Sequence, residues 1–239
     1  MNMTDEMAII YDGTYNDDLD LIVTDCIIPT AEKRRNKVTI SGRDGDLYED
    51  TGNYEDIKIN VGMAFLSRDA YTWRNAFVAA KRWILSGDDR LEISYMHNGF
   101  YKVKNAVISE SERFIYDAGT FTAVFTCDPY QYLRSGQISR VIESVKNFYQ
   151  PCNPVYTFTG EGVLSFTVNG NSITANVGQN LTIDTDLMQC YRTSDSGKTL
   201  VNSTVSGATL EKLRLAAGDN TLSYSGGLTG TMLPNWRIL

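Results

Sequence analysis

The sequence has a single histidine, His97, and four cysteines, Cys26, Cys127, Cys152 and Cys190, set far apart with no C-x-x-C pair among them. Structural metal sites are built from clustered Cys and His, so neither a metal nor any other cofactor is expected. The thiols are expected to stay reduced and to pack as small apolar side chains. One histidine also leaves no basis for Ser-His-Asp or Cys-His hydrolysis, because the base must sit beside its nucleophile and be held by a third group. Long apolar runs are missing too. Nothing approaches the roughly 20 residues that cross a bilayer, and Asp5 and Glu6 stand where a signal peptide would carry positive charge. Membrane insertion is therefore not expected, and the chain is expected to remain in the cytoplasm where it is made. Cations are the minority charge, 22 Lys and Arg against 29 Asp and Glu, whereas a nucleic-acid groove needs them clustered. The one basic cluster, Lys33, Arg34, Arg35 and Lys37 beside Glu32, reads as a solvated loop.

What is present is apolar content and alternation. With 42% hydrophobic residues in 239, the chain can build one large or two ordinary domains. Ile57, Ile59, Val61, Met63 and Phe65 alternate with Lys58, Asn60, Gly62 and Ala64, the period of a half-buried strand. Phe121, Ala123, Phe125 and Cys127 do the same, with Thr120, Thr122 and Thr126 on the other face. Residues 21–28, 37–41, 91–95 and 100–108 also read as strands, with His97, Asn98 and Gly99 as a turn. One helix is predicted over 69–85, where Trp73, Ala76, Phe77, Ala80 and Ile84 form an apolar stripe. Ser67 or Asp69 would cap it, Lys81 and Arg82 would suit its C-terminal dipole, and Gly87 would supply a left-handed exit. Alternation fades after Pro129. The expected organisation is an N-terminal β-domain over 1–130, a connector over 131–152 and a C-terminal β-sandwich over 153–239. Asn169-Gly170 marks a tight hairpin in the latter.

Catalytic chemistry is hard to find. The carboxylate pairs Asp17/Asp18, Asp44/Asp46, Asp88/Asp89 and Asp184/Asp186 could serve a glycosidase, but Asp also initiates turns, and that is the simpler reading. Asp44, Asp46 and Glu55 occupy positions 1, 3 and 12 of a calcium loop, yet Tyr48 and Glu49 stand at positions 5 and 6, where a ligand and a glycine belong. The Gly42–Asp46 stretch is acidic where a phosphate would bind. The 14 Tyr and 3 Trp could stack on sugars, but aromatics more often fill cores and subunit interfaces.

Several local patterns occur together: Gly42-Arg43-Asp44-Gly45-Asp46-Leu47 followed by Tyr54, Phe125-Thr126-Cys127-Asp128-Pro129-Tyr130, Asn153-Pro154 before Val155–Gly160, Val168-Asn169-Gly170, Ile183-Asp184-Thr185-Asp186 with Tyr191, Gly218–Leu222, and Pro234–Leu239. In this order and spacing the chain resembles the distal tail (Dit) proteins of siphophages infecting Gram-positive bacteria. The resemblance implies a mainly β protein: an N-terminal β-sandwich or split-barrel-like domain with one flanking helix, and a C-terminal galectin-like β-sandwich. It implies a homohexameric ring that is the hub of a phage tail tip or baseplate, a virion component and not an enzyme. Its partners would be tail-tube and tape-measure proteins, a tail-associated lysin, and receptor-binding or baseplate proteins, with DNA only as passing cargo. It also suggests that residues 41–56 form a belt across the adjacent subunit, with Arg43, Leu47, Tyr48 and Tyr54 as interface residues. Composition agrees, since Leu47, Tyr48 and Tyr54 lie among charges with too few apolar neighbours to bury themselves. The alternative is a carbohydrate-binding β-sandwich module of a baseplate, which uses the second domain but leaves the first unexplained.

Overall fold

A computed structural model describes residues 7–66, 70–87, 90–96, 98–114, 118–225 and 227–239. The turn at His97, the caps at Ser67 or Asp69 and the Asp88/Asp89 pair lie outside the described residues. The chain divides into two units between Gln131 and Tyr132, each with its own apolar core.

In the first unit the strands are β1 (Ile9–Tyr11), β2 (Thr14–Tyr15), β3 (Ile22–Ile27), β4 (Lys33–Val38), β5 (Leu47–Tyr54), β6 (Ile57–Leu66), β7 (Arg90–Ile93), β8 (Gly99–Phe114) and β9 (Ala118–Leu133). One sheet runs in the order β2-β1-β7-β8-β9-β6-β3. Its spine is the antiparallel β6–β9 pair, in register from Ile57↔Cys127 to Leu66↔Ala118. Alternation along both strands sends Ile59, Val61, Met63, Phe65, Phe121, Ala123, Phe125 and Cys127 to the core face, all buried, as the period-two reading requires.

Helix α1 (Ala70–Ser86) covers that face with Ala80, Trp83 and Ile84 buried and Trp73, Ala76 and Phe77 packed at the core's margin. Trp83 was not in the predicted stripe. It is held because its indole N–H donates to the Tyr11 carbonyl at 2.9 Å, giving the one polar atom a partner inside. Phe77 is only half-buried, stacked on Trp73 and edge-on to Phe121. A Cβ at Gly119 would stand 2.4 Å from the Trp73 indole nitrogen and 2.5 Å from Phe65, so glycine there lets the helix approach the sheet. Gly87 is likewise a matter of room and not of handedness: its Cβ would meet the Tyr11 ring at 2.1 Å. Lys81 and Arg82 fall short of the last helical turn, which contains no basic residue.

The second unit has β10 (Arg140–Val141), β11 (Val145–Asn147), β12 (Val155–Gly160), β13 (Val163–Val168), β14 (Asn171–Asn176), β15 (Gln179–Asp184), β16 (Gln189–Ser194), β17 (Gly197–Leu200), β18 (Ser206–Gly207), β19 (Gly218–Asn220), β20 (Leu222–Ser225), β21 (Thr229–Leu233) and β22 (Arg237–Ile238). Two sheets, β10-β21-β12-β15-β16-β17 and β18-β14-β13-β20, share one core as a sandwich. Edge-on aromatic contacts join them: Tyr156 and Phe158 of one sheet meet Phe166 of the other at 4.7 and 5.1 Å, and Phe158 meets Tyr224 at 5.5 Å. Asn169 and Gly170 take φ of 50° and 80° in the turn between β13 and β14, the left-handed pair a two-residue hairpin demands.

The stretch expected as a connector is built into this second unit. Its β10 pairs with β21 and its β11 with β19, and Ile142, Asn147 and Cys152 are buried. Weak alternation there reflects strands of only two or three residues, too short to display a period.

Two outcomes follow from this packing. Ile84→Ala removes a fully buried side chain and is expected to lower stability by about 2–5 kcal/mol, whereas neighbouring Leu85→Ala, on the exposed face, should stay within about 0.5 kcal/mol; denaturant titration compares them. Burial pushes the thiols of Cys127 and Cys152 up to about 12 and that of Cys190 to about 11. In the folded protein these three should resist a thiol reagent at pH 8 and react promptly in denaturant.

Candidate functional site

Strands β4 and β5 pair only with each other among the described residues, forming a two-stranded ribbon outside the main sheet. Almost all of its side chains are exposed. The sequence anticipates a hairpin over 41–56, but the ribbon begins at Lys33: the basic cluster is a strand, not a solvated loop. The physical reason is pairing. Lys33 meets Asp50, Arg34 meets Glu55 and Lys37 meets Asp46, each at 2.8 Å, so the cations of one strand neutralise the carboxylates of the other.

Register sorts the ribbon into two faces. Val38 stands opposite Leu47, Lys37 opposite Tyr48 and Asn36 opposite Glu49. Alternation therefore puts Arg35, Lys37, Asp46, Tyr48 and Asp50 on one face, and Asn36, Val38, Leu47 and Glu49 on the other. The first is an ionic ladder bearing an exposed tyrosine, 61% accessible; the second carries an apolar pair, Val38 at 45% and Leu47 at 39%. Beyond them the tip is a loop in which the Arg43 N–H donates to the Ile40 carbonyl at 3.2 Å. Ile40 is also exposed.

At the other end the arm is anchored. The Glu55 N–H donates to the Glu32 carbonyl at 2.8 Å, Tyr54 meets Tyr130 of β9 edge-on at 5.9 Å, and Lys104 of β8 bridges Asp56 at 2.6 Å and Asp128 at 2.8 Å. The four residues predicted for an interface are thus strung along the arm: Tyr54 at its root, Tyr48 and Leu47 on opposite faces, and Arg43 at the tip. Val38 and Ile40 complete the apolar end and were missed, although Val38, Ile40 and Leu47 are the apolar residues nearest the glycine-rich turn on either side.

The other candidates resolve into structure. Asp184 accepts from the backbone N–H groups of Asp186 and Leu187 at 3.0 and 2.9 Å, and Asp18 accepts from that of Tyr15 at 3.2 Å, which is turn work. Asp46 and Glu55, two of the calcium-loop positions, lie at opposite ends of β5 in separate ion pairs. Among the described residues no three His, Cys, Asp or Glu cluster as metal ligands do, and no helix is long and apolar enough to cross a membrane. The second unit has an open groove of about 450 Å³ lined by Met188, Cys190, Asn202, Val205, Leu210 and Glu211 among others. Its described lining includes no aromatic ring on which a sugar could stack.

The sequence matches no protein-family model, and no curated protein resembles it in sequence. Solved structures do match in fold. One is the SPP1 Dit (gp 19.1) protein, described as a paradigm of the hub adsorption apparatus in phages infecting Gram-positive bacteria, at TM-score 0.62 and 13% identity over 95% of this chain and 96% of that one. Chains of the phage p2 baseplate in its activated conformation match at TM-scores of 0.53 with strontium and 0.54 with calcium. Their identities are 8% and 9%, over 95% and 99% of this chain and 97% and 99% of theirs. The chain therefore has a Dit-like fold along nearly its whole length, mainly β as the sequence predicts.

The ladder makes the arm sensitive to acid. Lys37, with Thr39, holds the Asp46 carboxyl below its usual range, and Lys33, with the Gly52 N–H, does the same for Asp50. A carboxylate depressed in the folded state contributes stability that is complete above its unfolded value, about 3.9, and is lost as pH falls through the lower folded value. Amide protection in β4 and β5, with the intrinsic pH dependence of exchange divided out, should thus be unchanged between pH 7 and 5 and fall below about pH 4, earlier than in β6 and β9.

Proposed function

We propose that this protein is the hub of a phage tail tip or baseplate, a virion component that assembles as a hexameric ring. The observation carrying this reading is the anchored arm: a ribbon that buries almost nothing of its own, roots firmly on β8 and β9, and ends in exposed Val38, Ile40 and Leu47. Such a segment gains most by lying across another subunit, with its apolar residues at the centre of the contact and its charges at the rim. A head-to-tail contact of this kind closes into a ring when its rotation permits. The full-length fold match to a hub protein and to baseplate chains supports the same role.

In that role the ring joins the tail tube and tape-measure protein on one side to a tail-associated lysin and receptor-binding or baseplate proteins on the other. DNA passes through its lumen. A net charge of −7 per chain suits such a passage, because a basic channel would retain phosphates. The role is architectural, and no residue is assigned to catalysis.

Light scattering of concentrated protein is expected to give a hexamer of the 26.7 kDa chain, with closed rings in electron micrographs. Replacing both Leu47 and Tyr48 by Ser should abolish rings while leaving the monomer's melting within about 0.5 kcal/mol of the parent, since both are exposed. Rings of unchanged stability from that variant would remove the arm from the interface.

A further inference from the structure

The outer face of α1 carries exposed apolar side chains. Tyr71, Val78 and Leu85 recur every seven residues, a single stripe along a helix, opposite the buried Ala80, Trp83 and Ile84. Val78 is 46% and Leu85 54% accessible, and Tyr71 more so. The charges beside this stripe, Arg74, Lys81 and Arg82, are all positive, and the helix contains no carboxylate at all. In a chain with an excess of acids, a wholly cationic helix face with an apolar seam is a selective surface.

The arm carries its counterpart. On the face bearing Val38 and Leu47, the charged side chain beside them is Glu49, while the cations of β4 at Lys33 and Lys37 are held by Asp50 and Asp46 on the ionic ladder. An apolar patch with a carboxylate beside it meets an apolar stripe flanked by cations. Made between copies, such a contact would be heterologous, arm to helix, and would pass from one copy to the next. We infer that the occupant of the α1 outer face is the arm tip of a second copy of this chain, with Val38 and Leu47 against Val78 and Leu85 and Glu49 toward Lys81 or Arg74. This rests on the reading of the arm as the contact between subunits, and names the surface it grips.

A photo-crosslinking amino acid in place of Leu47, in full-length protein at the concentration where rings form, tests both levels. The expected product has dimer mass, and its mapped cross-link falls within residues 70–86. A dimer product mapped elsewhere overturns the helix assignment and leaves the arm as an interface. Oligomers that form without any arm cross-link, or protein that stays monomeric and uncross-linked at every concentration, overturn both. A product of monomer mass mapped to the chain's own helix overturns the assignment to a second copy. Charge gives an independent readout: Glu49→Lys should weaken self-association by about five- to tenfold, and Lys81→Glu or Arg74→Glu in the same chain should recover most of that loss. Loss without recovery by either partner would place Glu49 against something other than α1.

Discussion

The register between β6 and β9 governs the first unit. Because side chains alternate strictly along a strand, a slip of one residue would carry Ile59, Val61, Met63 and Phe65 to the solvent face together, and α1 would have nothing to cover. The pairing of Ile57 with Cys127 at one end and Leu66 with Ala118 at the other fixes where Gly119 falls. There Trp73 comes close to the sheet, against Phe65, which in turn meets Phe121. The same pair fixes the root of the arm, since Asp56 precedes β6 and Asp128 and Tyr130 lie on β9. The arm's rooting is therefore a consequence of core packing, transmitted through Lys104 and Tyr54.

The second unit solves a different problem. Its strands are short, and several begin or end in asparagine, as at Asn147, Asn171, Asn176 and Asn220, which must find partners when buried. Asn220 does so completely: its amide donates to the carbonyls of Ala216 and Gly218, and its oxygen accepts from Ala216 N–H and from Asn169. Asn169 in turn accepts from the Thr221 N–H. This ties the Asn169-Gly170 hairpin to the loop before β20, extending by side chains the backbone pairing that ends with the Asn169 N–H on the Thr221 carbonyl at 2.9 Å.

How legible this was depends on the length of each pattern. The long strands and the helix were readable because four or five apolar positions repeat with a fixed period, and Asn169-Gly170 was readable because its chemistry admits few alternatives. Residues 131–152 were opaque because two- and three-residue strands have no period to detect. Trp83 was missed because its burial depends on a carbonyl at Tyr11, a partner 72 positions away. The arm was half-read. Its β5 side carried Leu47, Tyr48 and Tyr54 among charges, but a run such as Lys33-Arg34-Arg35 looks like solvated loop until the opposing carboxylates are placed beside it. Cross-strand neutralisation is a property of two segments together, invisible in either alone.

Among the described residues no third strand pairs with the ribbon, so its outer backbone edges lack the ladder a neighbouring strand would supply. Such edges invite another extended chain to add on, and the growth has no natural end. The charges of β4 and β5 bear on that hazard as well as on the pairing within the ribbon: a strand approaching the Lys33–Lys37 edge must set its own side chains beside charges already paired as Lys33–Asp50, Arg34–Glu55 and Lys37–Asp46. The ladder thus acts as insulation. It leaves exposed apolar surface concentrated near the tip, at Val38, Ile40 and Leu47.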